Sequence, residues 1–96
     1  MIKSLYKNTI QVSENMKLLS NKDRLAILCY IDNDKKNVKS IVEYTGLPQP
    51  QVSQYLIQMK KNNILESKRD WRNVFYKISD KKILKLLKSI KKIYCD

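Results

Sequence analysis

Apolar residues recur at helical spacing over most of the chain. In residues 2–19 they alternate at steps of three and four, with one threonine in the stripe: Ile2, Leu5, Thr9, Val12, Met16 and Leu19. A broader apolar face, expected to be mostly buried, follows Asn21, a good N-cap residue: Leu25, Ile27, Leu28 and Ile31. A last stripe follows Ser79, the expected N-cap of a helix to about Tyr94: Ile83, Leu86, Leu87, Ile90, Ile93 and Tyr94. These spacings predict two amphipathic outer helices and a buried second helix.

The middle of the chain predicts two short helices joined by a tight turn. Residues 32–36 are typical of a polar turn, and Asn37 can cap a helix over residues 38–45. Gly46 then stands where many helices end. The next helix is expected from about Gln49 to Asn62, with a buried side made of Val52, Leu56 and Met59. Two helices joined through a short turn with glycine indicate a helix-turn-helix.

Two strand-like stretches follow, at residues 64–67 and 74–78, because both are rich in β-branched, aromatic and aliphatic residues. Residues 68–73, Lys-Arg-Asp-Trp-Arg-Asn, are expected to form a basic hairpin tip. The order predicts a mainly α fold with a β-hairpin wing, a winged helix-turn-helix (α-α-α-α-β-β-α) that occupies residues 1–96 as a single domain. The stripes of the first and last helices would stay exposed unless a second copy covers them, which predicts a homodimer through these helices.

Composition excludes several classes of function. The chain has 96 residues, no histidine and one glycine, so Ser-His-Asp or Cys-His catalysis, imidazole metal ligands and glycine-rich phosphate loops are excluded. It has no apolar run near the ~20 residues that span a bilayer, and its beginning does not resemble a signal peptide. We therefore expect a cytoplasmic protein that is not an enzyme, needs no cofactor or metal, and does not enter membranes.

The charge indicates a polyanionic partner. Lys and Arg number 20 against 9 Asp and Glu, a net charge of +11, and the last 37 residues hold twelve of these bases against four acids. Lysine supplies 17 of the 20 bases, and part of this excess is typical of an AT-rich genome. The concentration of charge favours nucleic acid over a membrane surface as the partner, and the predicted winged helix-turn-helix indicates double-stranded DNA.

The helix from Gln49 to Asn62 carries the candidate base-reading residues. Amide and hydroxyl groups can read base edges in the major groove, although polar residues on a helix often only face solvent. Together with the wing, the expected DNA contacts are Gln49, Gln51, Ser53, Gln54, Gln58, Lys60, Lys61, Arg69, Arg72 and Asn73. Trp71 is expected to pack the wing against the body, and Arg24 to form a structural salt bridge.

The two cysteines remain ambiguous from local chemistry alone. Cys29 lies in the buried second helix, where a single cysteine is most often a small hydrophobic residue. Cys95 follows Lys91 and Lys92, which lower a thiol pKa, but it also lies at a helix C-terminus, which raises it.

Residues 19–80 resemble the ArsR/SmtB family of bacterial winged-helix repressors. The matching stretches are LSNKDRLAILCYI, NVKSIVEYTGLPQPQVSQYLIQMKKNNILESKRD and WRNVFYKISD. The resemblance implies a homodimeric, ligand-responsive repressor on an inverted-repeat operator, often upstream of its own gene. The ligands of the family's metal sensors are absent from the third and last helices of this sequence. Pro48 stands where the family usually has serine, so the recognition helix lacks that capping side chain.

One branch of the family, the HlyU/BigR type, also matches both cysteines. They stand in Ile27-Leu28-Cys29 and Tyr94-Cys95, 66 positions apart. The resemblance implies that Cys29 and Cys95 form a disulfide or polysulfide bridge in response to persulfides or oxidants, and that DNA affinity then falls. Two alternatives stay open: a regulator or anti-silencer of the same fold with inert cysteines, and a winged-helix protein-interaction module.

Overall fold

The structure is a computed structural model that describes residues 2–95, with side chains from Tyr6 onward. The predicted stripe residues Ile2 and Leu5 therefore have side chains outside the described part. Over residues 2–95 the chain forms five helices and three strands: α1 (Ile2–Leu19), α2 (Lys22–Ile31), β1 (Lys35–Asn37), α3 (Val38–Thr45), α4 (Gln49–Lys61), β2 (Leu65–Asp70), β3 (Asn73–Ile78) and α5 (Lys81–Tyr94). This order confirms the predicted winged helix-turn-helix and adds one strand.

Side-chain caps set the starts of α2 and α3 as predicted. Asn21 Oδ1 accepts hydrogen bonds from the backbone N–H groups of Asp23 and Arg24, at 2.9 and 3.1 Å. Asn37 Oδ1 accepts one from the N–H of Ser40, at 2.8 Å. Gly46 ends α3 in the left-handed region, with φ of 71°, which glycine adopts without a steric penalty. These caps fix the turn that leads from α3 into α4.

The predicted cap of α5 was wrong by one residue. Asp80 caps the helix, because its carboxylate accepts hydrogen bonds from the N–H groups of Lys82 and Ile83. The Ser79 hydroxyl instead donates to the carbonyl of Ile64, at 3.3 Å. A carboxylate at the N-terminus of a helix also interacts favourably with the helix dipole. Ser79 instead contacts the segment that joins α4 to β2.

A three-stranded antiparallel sheet, in the order β1-β3-β2, forms the wing and its base. Part of the segment predicted as a polar turn is in fact β1, which pairs with β3 through Lys35 opposite Lys77 and Asn37 opposite Phe75. Backbone pairing makes this strand, and its three residues are too short and too polar to show a strand pattern. The Asp34 carboxylate accepts the N–H of Lys35 at 2.7 Å and so fixes the entry into β1.

The hairpin is longer than the sequence predicted. Strands β2 and β3 pair from Leu65 opposite Ile78 out to Asp70 opposite Asn73. Only Trp71 and Arg72 remain in the turn, and Trp71 has φ of 62°. The expected six-residue tip is thus mostly paired strand, because backbone pairing with β3 holds these exposed residues.

The core lies between the helix-turn-helix, the base of the sheet and α5. Among the described side chains, ten are almost entirely buried: Ile27, Leu28, Ile31, Ile41, Val52, Leu56, Met59, Ile64, Ile83 and Leu87. Burial of each such aliphatic side chain contributes roughly 1.5–3 kcal/mol. This core holds α4 by its apolar side and leaves its polar side outward. Within the described residues, no helix is long and apolar enough to cross a membrane.

Candidate nucleic-acid interface and thiol pair

Helix α4 is anchored by its inner face. Val52, Leu56 and Met59 are each fully buried, as predicted. At its start, Pro48 supplies no side-chain hydrogen bond, and its carbonyl accepts from the N–H groups of Gln51 and Val52, both at 3.1 Å. The rotation of α4 is thus fixed by packing, because no cap fixes its first turn.

The predicted amide side chains lie on the outward side of α4, and most contact a neighbour. Gln49 and Gln51 donate to Ser53 Oγ and Tyr55 Oη, at 3.4 and 3.2 Å. Gln54, between them and Gln58, is exposed. The side chain of Gln54 is therefore accessible to solvent on this side of α4, whereas those of Gln51 and Ser53 are half-buried.

Lysine and arginine side chains extend this surface from α4 onto the wing. Lys60 donates to Ser67 Oγ of β2 at 2.6 Å, which joins the end of the helix to the hairpin. Also exposed are Lys61 on α4 and Arg69, Arg72 and Asn73 on the hairpin. The structure thus places cationic groups around the helix and along the wing, where they can contact a polyanion.

The predicted packing of Trp71 against the body was wrong. Its side chain is 83% exposed at the wing tip, and the Arg72 guanidinium carbon lies 5.3 Å from its ring centroid. Trp71 has a left-handed backbone and stands in the two-residue turn, beyond the last paired residues of the hairpin. A cationic group over an indole ring forms a favourable cation–π contact, and the tip presents both groups outward.

Arg24 does not form the predicted salt bridge: neither ion pair found among the described residues includes it. Its Nε donates to the carbonyl of Leu18 at 2.8 Å, and its Nη1 donates to Oε1 of Gln58 at 3.0 Å. The guanidinium carbon lies 5.9 Å from the ring centroid of Tyr55. No local sequence signal indicates these contacts, because Gln58 is 34 positions away.

The two cysteines line one open cavity of about 520 Å³, with Tyr44, Lys91 and Lys92. Cys29 is half-buried at the end of α2, and Cys95 is exposed just after α5, and both are free thiols. Burial raises the pKa of the Cys29 thiol above its ordinary value, and the nearby Lys91 ammonium offsets this only in part. The site thus holds one accessible thiol and one shielded thiol.

Lys91 connects the two sides of this cavity. Its ammonium donates to the carbonyl of Cys29 at 3.0 Å and lies 3.3 Å from the Asp32 carboxylate. A cation is favourable there because the last carbonyls of α2 lack helical partners. The contact brings the end of α5 against the end of α2, so Cys29 and Cys95 share one cavity. Among the described residues, no cluster of Cys, Asp and Glu could hold a metal ion.

The outer helices expose a further set of apolar side chains. Tyr6 and Ile10 on α1 are 79% and 72% exposed, and Ile93 and Tyr94 on α5 are 72% and 81% exposed. A groove of about 390 Å³ runs between the two helices, with a mainly apolar lining that includes Val12, Met16, Ile83 and Leu86. These helices are the ones that the sequence assigned to a dimer interface.

Both the sequence and the fold of this chain are similar to those of known proteins. The family described as "Bacterial regulatory protein, arsR family" matches residues 21–67, which include the helix-turn-helix and the first three residues of β2. The biofilm growth-associated repressor of Xylella fastidiosa is 27% identical over 89 residues, which cover 93% of this chain and 78% of the relative. The crystal structure of the repressor BigR from that species has a TM-score of 0.92 at 25% identity, and the match covers 100% of this chain and 98% of the other.

Two further proteins share the fold. The transcriptional activator HlyU of Vibrio cholerae is 22% identical over 94 residues, which cover 98% of this chain and 87% of the relative. Its reduced form has a TM-score of 0.91 at 22% identity, with 98% and 99% of the chains covered. A homodimeric winged helix-turn-helix DNA-binding domain from Mycobacterium bovis has a TM-score of 0.77 at 24% identity, with 93% and 82% covered.

These relatives are regulatory proteins rather than enzymes. The segment matched by the family includes the helix-turn-helix. The structural match to BigR extends over the whole chain and so includes the wing and the outer helices. Residues 21–67 therefore form a helix-turn-helix segment of the arsR family of bacterial regulatory proteins, and over nearly its whole length the chain is similar to BigR and HlyU.

Proposed function

We propose that the protein is a homodimeric transcriptional repressor that binds an inverted-repeat operator and is released when Cys29 and Cys95 become linked. One observation carries the DNA-binding part: α4 buries its apolar side completely and presents an amide-bearing side beside a basic wing. An exposed polar helix of 13 residues next to a cationic hairpin fits the major groove and the flanking backbone.

In this proposal the outward side of α4 reads bases and the cations supply affinity. Gln54 is exposed at the middle of the face, and a glutamine amide can pair with the N6 and N7 groups of adenine. Lys60, Lys61, Arg69 and Arg72 contact phosphates, with Asn73 beside them at the base of the tip. Phosphate contacts release counterions, so affinity falls steeply with salt and with little dependence on sequence.

The homodimer would pair the exposed apolar side chains of α1 and α5 from two copies. Two recognition helices related by a two-fold axis can enter successive major grooves, roughly 34–36 Å apart. Support comes from the exposed residues Tyr6, Ile10, Ile93 and Tyr94 and from the apolar groove between the helices. The Mycobacterium bovis domain of the same fold is described as homodimeric.

The thiol switch uses the shared cavity of Cys29 and Cys95. With an organic persulfide RSSH, one cysteine thiolate attacks the outer sulfur, a Cys–SSH group forms, and RSH leaves. The second thiol then attacks the cysteine-bound sulfur of that group, a Cys29–Cys95 disulfide forms, and H₂S leaves. The bridge would tie α2 to α5 and change the relative pose of the two recognition helices.

A binding measurement on reduced protein tests the DNA-binding part. The probe is duplex DNA from upstream of the protein's own gene, compared with mixed-sequence duplex of equal length. Gln54→Ala is expected to weaken binding to the upstream DNA by about 1–3 kcal/mol and to leave mixed-sequence binding unchanged. Asn33→Ala, which removes an exposed amide from the turn before β1, serves as the control. Equal binding of wild type to both duplexes would contradict the proposal.

A second candidate is a repressor of the same fold whose cysteines only pack. The half-buried position of Cys29 and the upward shift of its pKa favour this alternative, because an inert structural cysteine has both features. A Cys29→Ser, Cys95→Ser double variant separates the two candidates. Persulfide treatment has no effect on DNA binding by this variant under the first proposal, while wild type responds. Under the second, neither protein responds.

A further inference from the structure

Arg24 joins three helices through a single side chain. Its two hydrogen bonds run to the Leu18 carbonyl at the end of α1 and to the Gln58 amide oxygen on α4, at 2.8 and 3.0 Å. Arg24 itself lies in the first turn of α2, where its backbone N–H is held by the Asn21 cap. The side chain therefore starts from a fixed backbone and reaches two other helices.

Each of these bonds satisfies a particular need. The Leu18 carbonyl is among the last four of α1, which receive no hydrogen bond from an N–H group within the helix. Gln58 lies on the exposed side of α4, and its side-chain oxygen is held in one orientation by the guanidinium. The planar, forked shape of arginine lets one group serve both acceptors, which a lysine ammonium cannot do in the same geometry.

Helix α4 is held by its buried inner face and by contacts near its C-terminus, since its N-terminus has no side-chain cap. At that end, Asn62 Nδ2 donates to the Gln58 carbonyl at 2.8 Å, and Lys60 donates to Ser67. The bond from Arg24 is the one in this group that reaches back to α1, the helix with exposed apolar residues. It is thus a direct link between the expected dimer helix and the expected recognition helix.

We infer that Arg24 is a positioning residue for DNA recognition: it fixes Gln58 and sets the pose of α4 relative to the end of α1. This inference rests on the proposed DNA-binding function. Because α1 would belong to the dimer interface, a fixed pose of α4 against α1 sets how the two recognition helices of a dimer match the two half-sites. Loss of the link therefore lowers sequence discrimination more than overall affinity for DNA.

Arg24→Lys is the primary test, because it keeps the charge and removes the forked geometry. Reduced protein is titrated with the upstream duplex and with a mixed-sequence duplex. We expect the ratio of the two affinities to fall by about tenfold and the mixed-sequence affinity to stay within about twofold. Lys22→Ala removes an exposed cation from the same turn of α2 and is expected to weaken both affinities alike. An unchanged ratio in Arg24→Lys overturns the inference.

A cycle with Gln58→Ala tests whether the effect passes through Gln58. If it does, the double variant discriminates no worse than the poorer single variant. Losses that multiply in the double variant would show two independent roles and overturn the inference.

Hydrogen exchange without DNA keeps the test independent of the operator. In Arg24→Lys, backbone amides in the C-terminal half of α4 are expected to exchange at least about threefold faster, while those of α5 do not change. Uniformly faster exchange or no change in α4 overturns the inference. If wild type fails to discriminate between duplexes, the proposed function fails, and the exchange result still decides the role of Arg24.

Discussion

At the scale of single residues, the two cysteines differ although they share a cavity. Cys95 is exposed, and Cys29 is half-buried with a pKa raised by burial. A raised pKa means that less Cys29 is thiolate at neutral pH, and the thiolate is the nucleophile. The first attack on a sulfur donor is therefore expected from Cys95, with Cys29 as the second thiol.

Alkylation of single-cysteine variants measures this difference. Cys29→Ser, which retains the exposed Cys95, is expected to react with iodoacetamide at neutral pH several times faster than Cys95→Ser, which retains the half-buried Cys29 with its raised pKa. As pH rises, the rate for Cys29 should keep increasing beyond the pH at which an ordinary thiol is fully ionised. Equal rates for the two variants would contradict the assignment of Cys95 as the first nucleophile.

Single-residue contacts were the part that the sequence predicted least well. Caps at Asn21 and Asn37 follow from local rules and were confirmed. The predicted contacts of Arg24 and Trp71 were wrong. The partners of Arg24 come from two other helices, and the position of Trp71 depends on a two-residue turn. Interactions over long sequence separation and turn geometry decide such side chains, and a single sequence carries neither.

At the scale of elements, the sequence predicted α1 to α5 well: apolar spacing indicated the longer helices, and the Asn37 cap and Gly46 bounded the short α3. Strand β1 was missed because three polar residues carry no pattern and the strand exists through its pairing with β3. The wing was predicted too short for the same reason: Lys68–Asp70 is held by pairing with Asn73–Phe75 rather than by apolar alternation. The expected DNA contacts of the wing remain a prediction.

The turn between α3 and α4 provides a stability test at this scale. Gly46 has φ of 71°, and a Cβ built there meets no atom within 4 Å. Gly46→Ala is therefore expected to destabilise the protein by about 1 kcal/mol through backbone strain alone. Gly46→Asn should cost less, because asparagine tolerates this conformation better.

Urea unfolding of the three proteins gives these differences in free energy of unfolding. An alanine variant as stable as wild type would show that α3 ends without the left-handed residue.

At the scale of the whole molecule, the exposed apolar side chains of α1 and α5 support the proposed homodimer. Ile93 is 72% exposed in the single chain, so replacing it leaves the core intact. Ile93→Glu is expected to shift the protein from dimer to monomer in sedimentation velocity, because a dimer would bury the carboxylate. The fold, followed by circular dichroism, should not change.

Ile57→Glu is the matched control for that variant. Ile57 is 55% exposed on α4, a helix outside the proposed dimer interface, and its replacement should leave the dimer in place. A wild type that sediments as a monomer, or an Ile93→Glu variant that stays dimeric, would contradict the proposed interface.

One titration tests the account of a thiol-switched DNA-binding protein most directly. The duplex upstream of the protein's own gene is titrated with fully reduced protein and with protein treated with an organic persulfide, while intact mass records the state of Cys29 and Cys95. A thiol-switched repressor binds tightly in its reduced form and loses affinity in the treated form as the Cys29–Cys95 linkage appears. Equal binding by both forms with the linkage present would contradict it.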